Sequence, residues 1–349
     1  MWFMALNNTG DSPAPVVSII TPAYNAARYI EHTLESAVRQ TFADFELLIV
    51  DDGSTDQTLE IAERYAARDP RILVSRQTNR GIASARNAAM ARARGRYFAL
   101  LDSDDLWFPT YLAEQIAILE QRPDIAVLSA NALNFGGPKD GEPLLPVSNY
   151  SDIRLVTLLR LVEVEDSMSI MSVFRREVSE AIGTFDENLR RSEDYDFWLR
   201  AATADFHIAI NPRPLGLYRR RPDSLSADEA LMLEAMRRPL HKVRQTCLHR
   251  PEVQAAVDRQ LARIAERGLV AHARHALMTG DMPKLVSHFS ALAESTGDSR
   301  YRLAGWLTGR LPVTIRIAYL AKRILSPVAR LGRRMAHAPM RMFWAGDRL

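Results

Sequence analysis

The residue pattern predicts an α/β fold, a mainly parallel sheet covered by helices on both faces, followed by a helical C-terminal third. Three observations carry that prediction. Short apolar, β-rich runs alternate with amphipathic segments between residues 17 and 129. Acidic and small residues gather just after those runs, which is where open parallel sheets bind their ligands. From about residue 227 onward, apolar residues recur at helical spacing almost throughout.

Residues 17–21 form the first run, and residues 27–39 follow with Ile30, Leu34, Ala37 and Val38 at helical spacing. Residues 45–50 are a second buried run, and residues 57–67 a second helix carrying Leu59, Ile61, Ala62 and Tyr65. A third strand is expected at 71–75, and Gly81 opens a third helix that ends near residue 93. A fourth strand at 97–101, a fourth helix at 110–121 and a fifth strand at 125–129 complete the alternation. Strands separated by helices of this length argue for parallel pairing through crossovers. Residues 131–150 read as a loop because of Gly136, Gly137, Pro138, Gly141, Pro143 and Pro146. Helix, strand and helix patterns occupy 152–203, and a strand at 206–210 leads into a Pro- and Arg-rich loop at 212–226. Breaks near Pro251, residues 280–283 and Pro312 divide the helical remainder. The expected division is a loosely ordered 1–15, an α/β domain at 16–226, a helical annex at 227–311 and a basic amphipathic tail at 312–349. Within the annex, 228–245 and 252–278 are expected to pair as a hairpin.

The 349 residues suit one large α/β domain with an appendage, and 47% hydrophobic with 25% charged residues is an ordinary globular balance. A single cysteine, Cys247, forms no internal disulfide and suits a reducing, cytoplasmic compartment. Residues 1–16 are polar and proline-containing and do not read as a signal peptide. No run of about 18 apolar residues is present, so no membrane-spanning helix is expected.

The net charge of +3 conceals an asymmetry: eleven Lys and Arg residues lie between Arg300 and the end of the chain, opposed there by Asp347 alone. Residues 312–345 set Val313, Ile315, Ile317, Leu320, Ile324, Val328, Leu331, Met335 and Phe343 among arginines. A basic amphipathic segment of this kind reads as an interfacial element drawn to an anionic membrane surface, peripheral on its cytoplasmic face. The alternative is a helix packed on the protein with solvated arginines. The basic residues lack a nucleic-acid-binding fold, so no nucleic acid is expected as a partner.

Five constellations could carry chemistry. After the second strand comes Asp51-Asp52-Gly53-Ser54-Thr55-Asp56, where carboxylates at a strand end suit a ribose or base edge; helix capping explains Thr55 or Asp56 alone. The first strand ends in Thr21-Pro22-Ala23-Tyr24-Asn25, not in the glycine-rich turn of a dinucleotide oxidoreductase. After the fourth strand, Asp102-Ser103-Asp104-Asp105 sets three carboxylates within four residues, a cluster that a hard divalent cation bridging to a diphosphate would neutralise. Between them, Gly81 leads into a small-residue helix carrying Arg86. Farther on, Glu193 and Asp194 stand in the first turn of a helix, where the dipole alone would welcome acids. The 218–226 loop, with Arg219, Arg220 and Arg221, is a cationic turn able to close over a diphosphate.

In this order and spacing, Ser18-Ile19-Ile20-Thr21-Pro22-Ala23-Tyr24-Asn25, Val50-Asp51-Asp52-Gly53-Ser54-Thr55-Asp56, Asn79-Arg80-Gly81-Ile82-Ala83-Ser84-Ala85-Arg86-Asn87, Leu101-Asp102-Ser103-Asp104-Asp105 and Glu193-Asp194-Tyr195-Asp196-Phe197-Trp198-Leu199-Arg200 resemble the inverting family 2 glycosyltransferases. The resemblance covers about 17–226. It implies a GT-A fold, a Rossmann-like nucleotide-diphospho-sugar transferase architecture, here with a C-terminal α-helical extension. It implies a nucleotide-sugar donor, most simply a UDP-sugar, and an acceptor hydroxyl on a saccharide or lipid-linked saccharide. Thr21 and Asp52 would contact the base, with Pro22, Tyr24 and Asp51 nearby. Arg86 would approach the diphosphate or sugar. Asp102-Ser103-Asp104 matches the D-x-D signature, with Asp104 the direct ligand of Mn2+ or Mg2+ and Asp102 beside it. Asp194 would be the catalytic base, assisted by Glu193. Where many relatives carry a histidine, this chain has Arg221, which can bind phosphate but cannot ligate a metal. Two rival readings are a catalytically silent nucleotide-sugar-binding scaffold and a processive synthase; the Gln-x-x-Arg-Trp motif of the latter is missing.

Overall fold

The computed structural model describes residues 13–146, 150–164 and 168–310. The expected tail at 312–349 and residues 1–12 lie outside the described residues. The elements run in the order β1 (Val17–Ala23), α1 (Ile30–Val38), β2 (Phe45–Asp51), α2 (Thr58–Ala66), β3 (Ile72–Arg76), α3 (Ile82–Arg92), β4 (Tyr97–Leu100), β5 (Leu106–Trp107), α4 (Tyr111–Gln121) and β6 (Ile125–Phe135). They continue with β7 (Arg154–Val156), α5 (Leu158–Glu163), β8 (Ser172–Arg175), α6 (Arg176–Ile182), α7 (Glu193–Thr203), β9 (His207–Arg219), α8 (Glu229–Thr246), α9 (Pro251–Thr279), α10 (Met282–Thr296) and α11 (Ser299–Arg310).

The strands form one mixed, mostly parallel sheet in the order β3-β2-β1-β4-β8-β6-β9-β5, with β7 pairing β9. Strands β1 and β2 are buried along their whole length, which is why their sequences are nearly continuous apolar runs instead of alternating ones. They pair in parallel, and β1 pairs in parallel with β4 on its other side. Strand β8 is antiparallel to both β4 and β6. The core beneath the sheet joins Ile19, Leu47 and Ile49 to Ile30, Leu34 and Leu112.

Two strands run farther than the sequence pattern predicts. β6 continues to Phe135, beyond 129, and β9 continues to Arg219 through Pro212 and Pro214. Prolines lack the N–H of a ladder bond, so a strand passes them only where the ladder is interrupted. That interruption is the register shift at Ala130/Asn131. Buried Asn131 bridges it: its Nδ2 donates to the carbonyls of Leu145 and Pro212, and its Oδ1 accepts from the N–H groups of Ala132 and Leu145. Strand β5 then pairs with β9 through Trp107↔Gly216. A Cβ at Gly216 would lie 2.5 Å from the Leu106 carbonyl oxygen, so only glycine permits this approach. The extension delivers Arg219 and Arg221 to the acidic cluster after β4.

The chain divides into two compact units, Met1–Ala262 and Arg263–Leu349. In the first, α8 packs on α7, and Leu233, Met236, Leu240 and Val243 of α8 are buried. Lys242 on α8 donates to Asp196 on α7 at 2.6 Å and to Asp186 at 2.8 Å. In the second, Ala273, Ala276, Leu277 and Leu285 form a small core with Met282 and Phe289 against it. Pro251 begins α9, Asp281 caps α10 by accepting from Lys284 N–H, and left-handed Gly297 ends α10. Among the described residues no helix is long and apolar enough to cross a membrane.

Candidate active site

Parallel pairing sets the carboxyl ends of β2, β1 and β4 side by side, with Ala23 opposite Asp51 and Ile20 opposite Leu100. The loops that leave these ends are laced together. Asn25, at φ 46°, receives Thr55 N–H on its side chain and donates its own N–H to Ser54 Oγ. Thr21 is fully buried at the end of β1, and its Oγ1 has no hydrogen-bond partner among the described residues. Pro22 is buried beside it, whereas Tyr24 stands half exposed.

Asp51 and Asp52 do different work. Asp51 is buried, faces the Ser54 N–H and forms an ion pair with Arg76 at 3.2 Å. Asp52 accepts from Gln77 Nε2 and Arg80 N–H through Oδ1 and from Gly81 N–H through Oδ2, at 2.8, 2.9 and 2.8 Å. It therefore holds the β3–α3 loop and the start of α3. The turn itself requires Gly53, whose φ is +77° and whose Cβ would meet Asn79 N at 2.8 Å.

Helix α3 starts at Gly81 and buries Ala83, Ala85 and Ala89, small side chains that let it lie close to β1 and β2. From that helix Arg86 reaches into the middle of the site, 1% exposed. Its Nη2 donates to Asp102 Oδ1 at 2.7 Å and its Nη1 to Glu193 Oε1 at 2.5 Å. Its Nε has no partner among the described residues, and its guanidinium stands 5.5 Å from the Phe185 ring centroid. Burial alone would lower its pKa, but the charges of Asp102, Glu193 and Asp194 outweigh burial and raise it.

After β4, Ser103 offers its backbone carbonyl to Thr33 Oγ1. Asp104 Oδ2 lies 2.9 Å from Arg221 Nε, an ion pair in which the N–H is not aligned for a hydrogen bond. Asp105 accepts from Arg219 N–H through Oδ1, while its Oδ2 is buried and unpartnered among the described residues. Burial and the Asp102 charge push Asp104 up, against Arg221. Burial, then Asp104 and Asp102, push Asp105 up much farther.

On the opposite side, Ser192 adopts a left-handed conformation at φ 59° just before α7, and its buried Oγ is unpartnered among the described residues. A non-glycine residue held there costs about 1–3 kcal/mol, a strain often found at functional positions. It turns the chain so that Glu193 points inward to Arg86. Asp194 remains partly exposed at the rim, with Tyr195 N–H donating to its Oδ1 at 2.8 Å. Burial pushes Glu193 up to about 7; Arg86 opposes the rise and Asp194 adds to it. Asp194 is raised by burial, again against Arg86.

The structure thus joins Arg86, Asp102, Asp104, Glu193, Asp194 and Arg221 in one charged network, and sets Thr21, Pro22, Asp51 and Asp52 at the adjoining strand ends. One member, Tyr29, escaped the residue pattern. Arg219 donates through Nε to the Asp104 carbonyl and lies between the rings of Tyr29 at 4.9 Å and Phe135 at 4.6 Å. Tyr29 also faces Arg221 at 4.9 Å. The run Arg219-Arg220-Arg221 signalled cationic duty; nothing local signalled the ring on which two of its members rest.

The five acids Asp102, Asp104, Asp105, Glu193 and Asp194 face the three arginines Arg86, Arg219 and Arg221, so negative charge is in excess by two when all are ionised. Burial is the first cause of each raised carboxyl, with neighbouring acids adding to it, and one buried Asp105 oxygen has no partner among the described residues. Hard oxygen donors with this surplus fit Mn2+ or Mg2+. Among the described residues no group of three or more His, Cys, Asp or Glu is arranged to hold a metal by itself.

The mixed, mostly parallel sheet with its helices matches the GT-A fold. The fold matches that of S. aureus TarS 1-349 in complex with UDP-GlcNAc, with a TM-score of 0.59, 24% identity and coverage of 82% of each chain. It also matches the mannosyltransferase PcManGT of Pyrobaculum calidifontis in complex with GDP-Man and Mn2+, with a TM-score of 0.58, 19% identity and coverage of 90% of this chain and 87% of that one. The sequence profile described as Glycosyl transferase family 2 matches residues 18–183. An uncharacterized glycosyltransferase of Methanocaldococcus jannaschii is 30% identical over 222 residues, covering 60% of this chain and 72% of that protein. EpsJ of Bacillus subtilis, an uncharacterized glycosyltransferase, is 32% identical over 61% of this chain and 63% of its own length. Chondroitin synthase of Escherichia coli is 35% identical over 53% of this chain, and the match spans 26% of that protein. The chain thus spans less than two thirds of the length of EpsJ and of chondroitin synthase. The chain belongs to glycosyltransferase family 2.

Proposed function

We propose that this chain is an inverting glycosyltransferase that moves a sugar from a UDP-sugar to a hydroxyl of a saccharide or lipid-linked saccharide, in the assembly of a surface polysaccharide or glycoconjugate. The observation that carries the reading is Arg86, which links Asp102 of the D-x-D segment to Glu193 beside Asp194. One buried cation thereby couples the leaving-group side to the base side. Chondroitin synthase and TarS, which bears UDP-GlcNAc in its complex, support the polysaccharide and UDP assignments.

The residues divide the work. Thr21, Pro22, Tyr24, Asp51 and Asp52 are set on the nucleotide side, Thr21 from a fully buried position. Ser103 and Arg221 face the diphosphate. Asp104, with Asp102, would hold Mn2+ or Mg2+, which when bound neutralises charge on the departing nucleoside diphosphate. Asp194, at the rim, takes the proton of the acceptor hydroxyl as that oxygen attacks the anomeric carbon from the face opposite the diphosphate. Arg86 lowers the pKa of Asp194 against its burial, and Glu193 stands beside it as the assisting acid. A single displacement inverts the anomeric centre, and charge develops as in glycoside hydrolysis. At the end of the described chain, α11 exposes Leu303 and Trp306 beside Arg302 and Arg310, which suits peripheral contact of the following segment, 312–349, with an anionic membrane.

The test is a panel of nucleotide sugars incubated with the chain and Mn2+, Mg2+ or EDTA. Slow release of nucleoside diphosphate from one sugar nucleotide, stopped by EDTA, is the expected result. Donor binding without turnover, even with membrane extract as a source of acceptor, would replace this reading with a binding scaffold.

A further inference from the structure

We infer that Arg221 is a resident counter-ion of Asp104, which a divalent cation must displace, so that cation and nucleoside diphosphate bind as a coupled pair. The inference rests on the proposed donor chemistry and adds a sequence of events at the same site.

Arg221 Nε stands 2.9 Å from Asp104 Oδ2, and both side chains are about four-fifths buried, at 21% and 19% exposure. The contact is a charge pair without an aligned hydrogen bond, so release breaks no well-formed bond. Arg219 completes the arrangement from the same strand end, with Nε on the Asp104 carbonyl and N–H on Asp105. Tyr29 presents one ring to both guanidinium groups, each 4.9 Å from its centroid. Arg221 has a second acid within reach, exposed Asp223 at 3.7 Å, and its carbonyl is tied into a turn by Ser224.

A guanidinium has no lone pair and cannot share a metal's shell. A dication on Asp104 would stand against it at close range and repel it. Arg221 must then leave the carboxylate, and a diphosphate arriving with the cation supplies the anion it needs. Metal alone is therefore disfavoured, metal with diphosphate is favoured, and by linkage each tightens the other by the same factor.

The experiment measures Mn2+ binding to the full chain by the electron paramagnetic resonance signal of free Mn2+, with and without UDP, corrected by protein-free titrations of UDP. For the wild type, Mn2+ alone binds weakly and UDP tightens it at least about fivefold, the lower end of ordinary coupling. Arg221→Ala and Arg221→Gln, checked for fold by circular dichroism, bind Mn2+ alone at least about fivefold tighter and lose most of the UDP effect. Arg221→Lys keeps the charge and keeps the coupling. Unchanged Mn2+ affinity and an unchanged UDP effect in Arg221→Ala and Arg221→Gln would overturn the inference while leaving the donor chemistry intact. A wild type that binds no Mn2+ even with UDP would overturn the metal reading of Asp104 and this inference together.

Discussion

Arg86 Nη1 meets Glu193 Oε1 at 2.5 Å, although the two residues lie 107 positions apart. The contact joins α3 to the helix that carries the proposed base. Both partners are buried, so removing one leaves an uncompensated charge. Arg86→Ala is expected to cost about 3–5 kcal/mol of stability, the usual penalty for breaking a buried pair. Denaturant unfolding of the variant checks it; a loss under about 1 kcal/mol would contradict the burial argument.

Glu193 supplies a pH dependence. Its carboxyl is pushed up to about 7 by burial, against Arg86 and with help from Asp194. A raised acid binds its proton more tightly in the folded chain. Its contribution to stability is therefore full below its ordinary value of 4.5 and is lost as pH rises through about 7. Infrared difference spectra of the metal-free chain should show a carboxyl titrating near neutrality that vanishes in Glu193→Gln. In Arg86→Ala the same titration should move higher, since the opposing charge is gone.

Asp194 and Asp104 should separate chemistry from binding. Asp194→Asn is expected to lower transfer about 10²–10⁴-fold while donor binding persists, because only proton abstraction is removed. Asp104→Ala should instead lose the metal-dependent part of donor binding. Calorimetry with and without EDTA distinguishes them, and weak donor binding by Asp194→Asn would count against its assignment as the base.

Helix α8 holds α7 by charge as well as by its apolar face. Asp196 is buried and receives both Arg200 and Lys242, so Lys242→Ala should destabilise the chain by about 1–3 kcal/mol. Burial would raise the pKa of Asp186, but hydrogen bonds from Lys242 and Asn188 outweigh it and hold the carboxyl low. Its stabilising share is present above the ordinary value of 3.8 and is lost as pH falls below that. Acid unfolding of wild type and Lys242→Ala should therefore converge at low pH.

Liposome sedimentation tests the membrane proposal. The full chain should partition onto anionic vesicles and lose that partition in high salt or on deletion of 312–349. Equal partitioning with and without those residues would remove the proposal.

The alternation of apolar runs with helical segments made β1 to β4 and α1 to α4 readable, because periodicity and strand-end chemistry are local properties. The acids at 51–52, 102–105 and 193–194 were visible for the same reason. The ends of β6 and β9 were not. Pro212 and Pro214 announce a loop, and only the bulge bridged by Asn131 lets the strand continue past them. Nor could spacing show that Asp52 holds the backbone of Arg80 and Gly81, that Arg86 lies buried between Asp102 and Glu193, or that Arg221 pairs with Asp104. Residue order alone sets which charged groups stand at the strand ends. Their partners and their pKa values arise only on folding, because sheet order sets which charges meet and burial sets how strongly they act on each other.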